Sequence, residues 1–214
     1  KEYILESVDG ILKRLQVDYL DSLLLHRPDA LMEADQVAQA FEILHTSGKV
    51  RDFGVSNQNP MMMELLKKEV KQPLAINQLQ LSAAFTPGFE SGFHANMKGD
   101  KAALRDGSVF EYCKLNDMVI QAWSVLQFGY FKGNFVGNEK FQQLNQVLNR
   151  LALKYGVSPS AIAIAWILRY PAKMQAVVGT TNPKHLIEAS QASDVNLTRK
   201  EWYEIYLAAG NDLP

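Results

Sequence analysis

The sequence is short of the features that mark secreted, fibrous or nucleic-acid-binding chains. A single cysteine, Cys113, stands among 214 residues, so no internal disulfide can form, which fits a reducing compartment. Lys and Arg number 22 against 23 Asp and Glu, a net charge of −1. With no basic excess to neutralise phosphates, nucleic acid is not an expected partner. The longest apolar candidate, residues 161–168, stops at Arg169, well short of the ~18 residues of a membrane span, so no membrane partner is expected. The first 25 residues carry acids throughout and lack the basic-then-apolar order of a signal peptide, which makes the cytoplasm the expected location. Four scattered histidines and one cysteine have no zinc-ligand spacing, so no metal is expected. Neither G-x-G-x-x-G nor G-x-x-x-x-G-K-[ST] occurs.

What is present is ordinary for a chain with a sizeable core. Apolar residues make up 47% and charged residues 21%, which excludes a disordered chain. Thirteen glycines and eight prolines are roughly average usage and exclude a collagen-like one. The sequence starts at Lys1 rather than methionine, and its first residues already read as mid-helix. It is therefore expected to be part of something longer.

Apolar spacing alternates between two periods along the chain. Ile4, Val8, Ile11, Leu12 and Leu15 share a helical face, and a short apolar run over 19–25 then reads as a strand ending at His26-Arg27-Pro28-Asp29. Val37, Ala40, Phe41 and Leu44 mark a helix closed by Gly48, and 50–55 is a second strand stopping at Ser56-Asn57. Asn59-Pro60 opens a helix by capping logic, and residues 74–76 lead a third strand into Asn77-Gln78. A Gly-containing loop over 82–107 and a helix over 109–116 precede a fourth strand, 119–123, ending at Ser124. After a loop over 127–138, Phe141, Leu144, Leu148 and Leu151 face inward on a helix, and Ser158-Pro159 starts another. Residues 174–178 form a fifth strand, Asn182-Pro183 opens a further helix, and Thr198 with Glu201 forms a capping box for the last.

A helix followed by five strand–helix units argues for a parallel α/β sheet with right-handed crossovers. A doubly wound sheet normally announces itself with a Gly-rich phosphate turn, absent here, so a (β/α)8 TIM barrel is favoured. Such a barrel needs eight strands and typically ~250 residues, and the pattern supplies five strands. Every strand ends in polar or aromatic residues: His26, Ser56-Asn57, Gln78, Trp123-Ser124 and Gly179-Thr180-Thr181. Any one cluster is explained by turn chemistry. Five together are expected to converge on the rim where barrel enzymes place their sites.

The run Asp18-Tyr19-Leu20-Asp21 with Leu24-Leu25-His26-Arg27-Pro28-Asp29, then Gly48-Lys49-Val50-Arg51, Gly54-Val55-Ser56-Asn57 and Asn77-Gln78, resembles the aldo-keto reductases. The resemblance runs from the helix before the fourth barrel strand to the C-terminus. The end of the chain, Trp202 and Ala208-Ala209-Gly210, with the long loop after the sixth strand, points to a bacterial, YdhF-like branch. It implies one domain over 1–214, the C-terminal part of a reductase barrel with the first three strand–helix units absent from the sequence. It also implies an oxidoreductase that reduces aldehydes and ketones to alcohols by hydride transfer from NADPH, with NAD as the alternative and a small carbonyl compound as substrate. The oligomeric state stays open.

Carried over residue by residue, His26 corresponds to the catalytic histidine, whose hydrogen bond would polarise a carbonyl oxygen. Ser56, Asn57 and Gln78 match the positions that bind the nicotinamide carboxamide, which needs both donors and acceptors. Trp123 stands where the family stacks a tyrosine on the nicotinamide, although a plain core role is its rival. Ser124 and Leu126 match the pyrophosphate turn, with Val125 and Gln127 in place of the usual Pro and Gly. At the adenosine end the family's lysine and arginine are Gly179 and His185, while Thr180, Thr181 and Asn182 with the next helix N-terminus could hold a phosphate. Glu188 matches the adenine-side acid, and Ala189 replaces an asparagine. Met61-Met62-Met63 reads as one turn of a core helix. Phe85, Phe89, Phe93, Tyr130 and Phe135, on the two long loops, either wall a substrate site or pack the loops down. No residue matches the family's proton-donating tyrosine, or its aspartate and lysine, so residues 1–214 alone are expected to be inactive. The alternative is a non-catalytic nucleotide-sensing or regulatory subunit on the same barrel.

Overall fold

The computed structural model describes residues 1–29, 32–89, 108–129 and 132–211. They fall into two compact units, Lys1–Gln78 with Glu111–Val119, and Leu79–Phe110 with Ile120–Pro214.

In the first unit, α1 (Glu2–Leu15) buries Val8 and Leu12 and ends at Gln16, whose left-handed backbone lets its N–H reach the Leu12 carbonyl. β1 (Leu20–Leu25) is followed by α2 (Ala34–Thr46), with Val37, Ala40, Phe41 and Leu44 buried as their spacing predicts. β2 (Val50–Ser56) runs parallel to β1, pairing Leu20 with Val50 and Leu25 with Val55. The Asn59 side chain accepts the Met62 N–H at 3.0 Å and starts α3 (Pro60–Lys67). Met63 is buried and Met61 exposed, so the methionine run is one turn of an amphipathic helix. β3 (Leu74–Gln80) lies parallel to β2, with a register shift at Phe53 and Gly54 that brings Val55 opposite Asn77 and Ser56 opposite Gln78. This strand runs further than the apolar residues 74–76 suggested, because its ladder continues through the polar Asn77-Gln78 pair. α4 (Val109–Leu115) follows.

In the second unit, β4 (Val119–Trp123) lies beside the segment after β5 (Lys173–Ala176), where the Val177 N–H donates to the Ala122 carbonyl at 2.8 Å. β5 ends two residues before the expected 178, and the backbone beyond Val177 leaves the ladder. α5 (Gln142–Tyr155) buries Leu144, Leu148 and Leu151, while Phe141 belongs to a short 3₁₀ turn before it. α6 (Pro159–Leu168), capped by Ser158, is buried over 161–167 on every face, which makes it the core helix of this unit. α7 (Pro183–Ser190) starts at Asn182, and α8 (Arg199–Ala208) carries the expected Thr198–Glu201 capping box.

The loop aromatics resolve towards packing. Phe89 sits edge-on to Phe110 at 4.9 Å and also meets Trp166, Tyr170 and Trp202, and Phe135 is fully buried. Phe85 is half-buried, while Phe93 and Tyr130 lie outside the described residues. Among the described residues no single helix is long and apolar enough to cross a membrane.

Candidate functional site

The ends of β2 and β3 are tied by a compact set of hydrogen bonds. Ser56 is buried, and its hydroxyl donates to the Gln78 carbonyl at 3.0 Å while accepting from Asn57 Nδ2 at 3.1 Å. The Asn57 N–H donates to the same Gln78 carbonyl at 2.9 Å. Asn57 holds φ at +55°, in the left-handed region, which asparagine enters more readily than most non-glycine residues. The structure thus brings Ser56, Asn57 and Gln78 together. His26 immediately follows β1 and is exposed.

In the second unit a cavity of about 550 Å³ opens at the end of β4. Trp123, Ser124 and Leu126 line it from the strand end and its turn, Gly179 and Thr180 from the stretch after β5, and His185 and Glu188 from α7. Seven of the eight residues assigned to this end by resemblance therefore share one cavity. Thr181, exposed, does not line it. Ser124 is another non-glycine residue in the left-handed region, φ +53°, and its hydroxyl reaches Gln127 Oε1 at 3.3 Å. The Asn182 N–H donates to Thr180 Oγ1 at 3.1 Å, and Asn182 Oδ1 accepts the Lys184 N–H at 3.0 Å, which fixes the first turn of α7. Of the lining residues only His185 and Glu188 are ionisable, so the missing lysine and arginine of the sequence are not replaced by another cation on the wall.

Sequence reasoning passed over Gln127 and Asn134, which also line the cavity. Gln127 stands where a family glycine was expected, and the departure itself was the signal: a side chain there must occupy the turn. Asn77 carries no role of its own in the Asn77-Gln78 motif. It is fully buried, and its Nδ2 donates to the Gln58 carbonyl at 2.9 Å. Among the described residues no cluster of His, Cys, Asp and Glu could hold a metal ion.

Residues 1–208 match the family model described as the aldo/keto reductase family. The chain belongs to that family. Among its aldo/keto reductase relatives, a 6-dehydroglucose reductase of Agrobacterium fabrum is 35% identical over 97% of this chain and 63% of its own length. Oxidoreductase YdhF of Escherichia coli is 34% identical over 100% of this chain and 66% of its own. The chain thus spans a little less than two thirds of these relatives. An aldo/keto reductase of Klebsiella pneumoniae, crystallised with NADP and acetate, superposes with a TM-score of 0.73 at 24% identity, over 94% of this chain and 62% of that one. The fold is the α/β fold of aldo/keto reductases.

Proposed function

We propose that this protein is an aldo/keto reductase that reduces a small carbonyl compound with NADPH, NADH being the alternative donor. The observation that carries the reading is the placement of two independent sets of family-matched residues at strand ends. One is the bonded trio Ser56, Asn57 and Gln78; the other is the cavity wall of Trp123, Ser124, Leu126, Gly179, Thr180, His185 and Glu188. Each set includes a non-glycine residue in the left-handed region, Asn57 and Ser124, a conformation that Gln16, Ser108 and Asp117 also adopt elsewhere in the chain. The nucleotide-bound neighbour from Klebsiella pneumoniae supports the cofactor class.

The donor set fits such a cofactor. A carboxamide needs acceptors for its NH2 and a donor for its oxygen, and hydroxyl and amide groups at 56, 57 and 78 can supply both. A pyrophosphate suits the hydroxyls and amides of Ser124, Gln127 and Thr180 with the N-terminal turn of α7. The apolar Ile164, Val177 and Ala189 beside Glu188 offer adenine a flat wall and one acceptor. When bound, the cofactor supplies a hydride. By the family resemblance the residues of this chain would hold and orient it: Trp123 would stack on the nicotinamide, Ser56 and Asn57 would fix its rotation, and His26 would donate to the carbonyl oxygen, stabilising the charge that develops there. In this reading residues 1–214 form part of a single (β/α)8 barrel domain as its fourth to eighth strands, and the protein works in the cytoplasm.

The test is fluorescence titration with NADPH beside aldehyde-dependent NADPH oxidation, starting with sugar aldehydes because the Agrobacterium fabrum relative is named for one. Ser56→Ala is expected to weaken NADPH binding. His26→Phe is expected to leave binding intact and to lower turnover by about 100-fold or more. Tight binding with no turnover of any aldehyde by the full-length protein would favour the regulatory alternative. No binding at all would overturn both.

A further inference from the structure

The turn that follows β2 has two unusual features at adjacent residues. Asn57 holds a left-handed backbone, and the Gln58 side chain is buried with neither amide atom finding a partner among the described residues. Such a turn relaxes unless its surroundings over-determine it. The restraints on it come from β3. The Gln78 carbonyl accepts from both the Ser56 hydroxyl and the Asn57 N–H. One position earlier on the strand, Asn77 Nδ2 donates to the Gln58 carbonyl at 2.9 Å and touches Met63 Sδ at 3.6 Å. The β2–β3 register, with Val55 opposite Asn77 and Ser56 opposite Gln78, puts these groups in line. Asn77 is completely buried: its Nδ2 makes this contact, while its Oδ1 has no partner among the described residues.

We propose that Asn77 is a positioning residue for the nicotinamide end of the site. Its amide pins the Gln58 carbonyl, which closes the turn on its far side and keeps Asn57 left-handed, with the Asn57 amide against Ser56 Oγ. Gln78 holds the near side and Asn77 the far side, so adjacent residues of one strand clamp a three-residue turn of its neighbour. A leucine at 77 has the same branching and number of side-chain heavy atoms, although it is bulkier, and it removes the donor. The Gln58 carbonyl is then left buried without its partner, and the turn shifts to satisfy it.

This rests on the reading of Ser56 and Asn57 as carboxamide contacts, and the experiment separates the two. The full-length protein is titrated with NADPH and with 2′-phospho-ADP-ribose, which lacks the nicotinamide. Asn77→Leu is expected to raise the NADPH Kd about tenfold, the worth of one buried hydrogen bond, and to leave 2′-phospho-ADP-ribose binding unchanged. In an Asn57→Gly background, where the left-handed backbone needs no restraint, the same substitution is expected to change the NADPH Kd less than twofold. Leu44→Ala, a core change in α2, serves as the control that lowers Tm without altering the ratio of the two Kd values. If Asn77→Leu fails to fold, Asn77→Ser, whose hydroxyl is too short to reach Gln58, is read in the same way. Wild-type NADPH binding by the Asn77 variants beside a weakened Ser56→Ala overturns the inference alone. Equal weakening for both ligands also overturns it, as a general structural effect. Wild-type binding by Ser56→Ala and Asn57→Gly overturns the underlying reading instead.

Discussion

Trp166 and Trp202 exchange hydrogen bonds through their indoles. Each Nε1–H donates to the other residue's backbone carbonyl at 3.0 Å, and the rings stack 4.9 Å apart within 12° of parallel. α6 is thereby locked to α8 by two buried bonds that satisfy two helix carbonyls as well as both indoles. Trp202→Phe keeps most of the ring packing but removes one donor and leaves the Trp166 carbonyl with one bond fewer. The expected loss is about 1–3 kcal/mol of unfolding free energy, read by urea denaturation. Trp166→Phe should cost a similar amount. The double variant should cost less than the sum, because the two bonds belong to one contact.

Gly54 is required by a neighbour rather than by its own backbone. A Cβ there would lie 2.6 Å from the Ile76 carbonyl oxygen and 2.9 Å from the Ile76 Cβ, where β2 and β3 shift register. Gly54→Ala must push the strands apart at the residues that carry Ser56 and Asn77. We expect a loss of about 1–3 kcal/mol in thermal or chemical unfolding, accompanied by weaker NADPH binding.

Glu201 gives the second unit a pH-dependent element. Burial alone would push its carboxyl up. Lys154, the backbone and hydroxyl of Thr198 and the Tyr155 hydroxyl together bring it down to about 2. A carboxylate lowered on folding adds stability that is fully present above its unfolded value of 4.5 and is lost as pH falls towards 2. Glu201→Gln is therefore expected to be about 2 kcal/mol less stable than the parent at pH 7, with the gap closing between pH 4.5 and 2 in urea titrations.

His185 lines the cavity from α7, at the position proposed to face the cofactor's adenosine phosphate. His185→Arg supplies a permanent bidentate cation, and NADPH affinity is expected to rise about tenfold while NADH affinity stays level. The gain should shrink as salt is raised from 50 to 500 mM, since it is electrostatic. Fluorescence titration with each dinucleotide checks it.

Cys113 should be silent towards thiol reagents in the native state. Desolvation is the main reason that its thiol is pushed up to about 11, with Glu111 adding to the effect and the Asn77 side chain opposing it. At pH 8 we expect no modification of the folded protein within hours, and stoichiometric reaction in urea. Rapid native labelling would show that the interior around β3 and α4 opens readily.

Local chemistry made most of the elements legible. Asn59, Ser158 and Asn182 cap the helices that their sequences announce, and Thr198 with Glu201 forms the box that its spacing spells. Val37, Ala40, Phe41 and Leu44 are buried because residues on a 3.6 period share one helical face. Strand ends were less sharp. β3 persists through Asn77 and Gln78 and β5 stops at Ala176, since ladder length is decided by the neighbouring strand rather than by hydrophobicity. The cavity's family-matched residues were legible by motif, but not that Gln127 and Asn134 would join them or that Thr181 would turn away.

By itself the sequence determined the alternation of helices and strands, the helix starts, and the residue types gathered at each strand end, because these follow from short-range sterics, capping and periodicity. Only the tertiary structure decided which of those groups meet. The β2–β3 register sets Asn77 under the Gln58 carbonyl, the close approach of Ile76 makes Gly54 obligatory, and the crossing of α6 and α8 turns two tryptophans 36 residues apart into reciprocal donors. Each is a contact between segments distant in the chain, fixed by packing and register that no local pattern encodes.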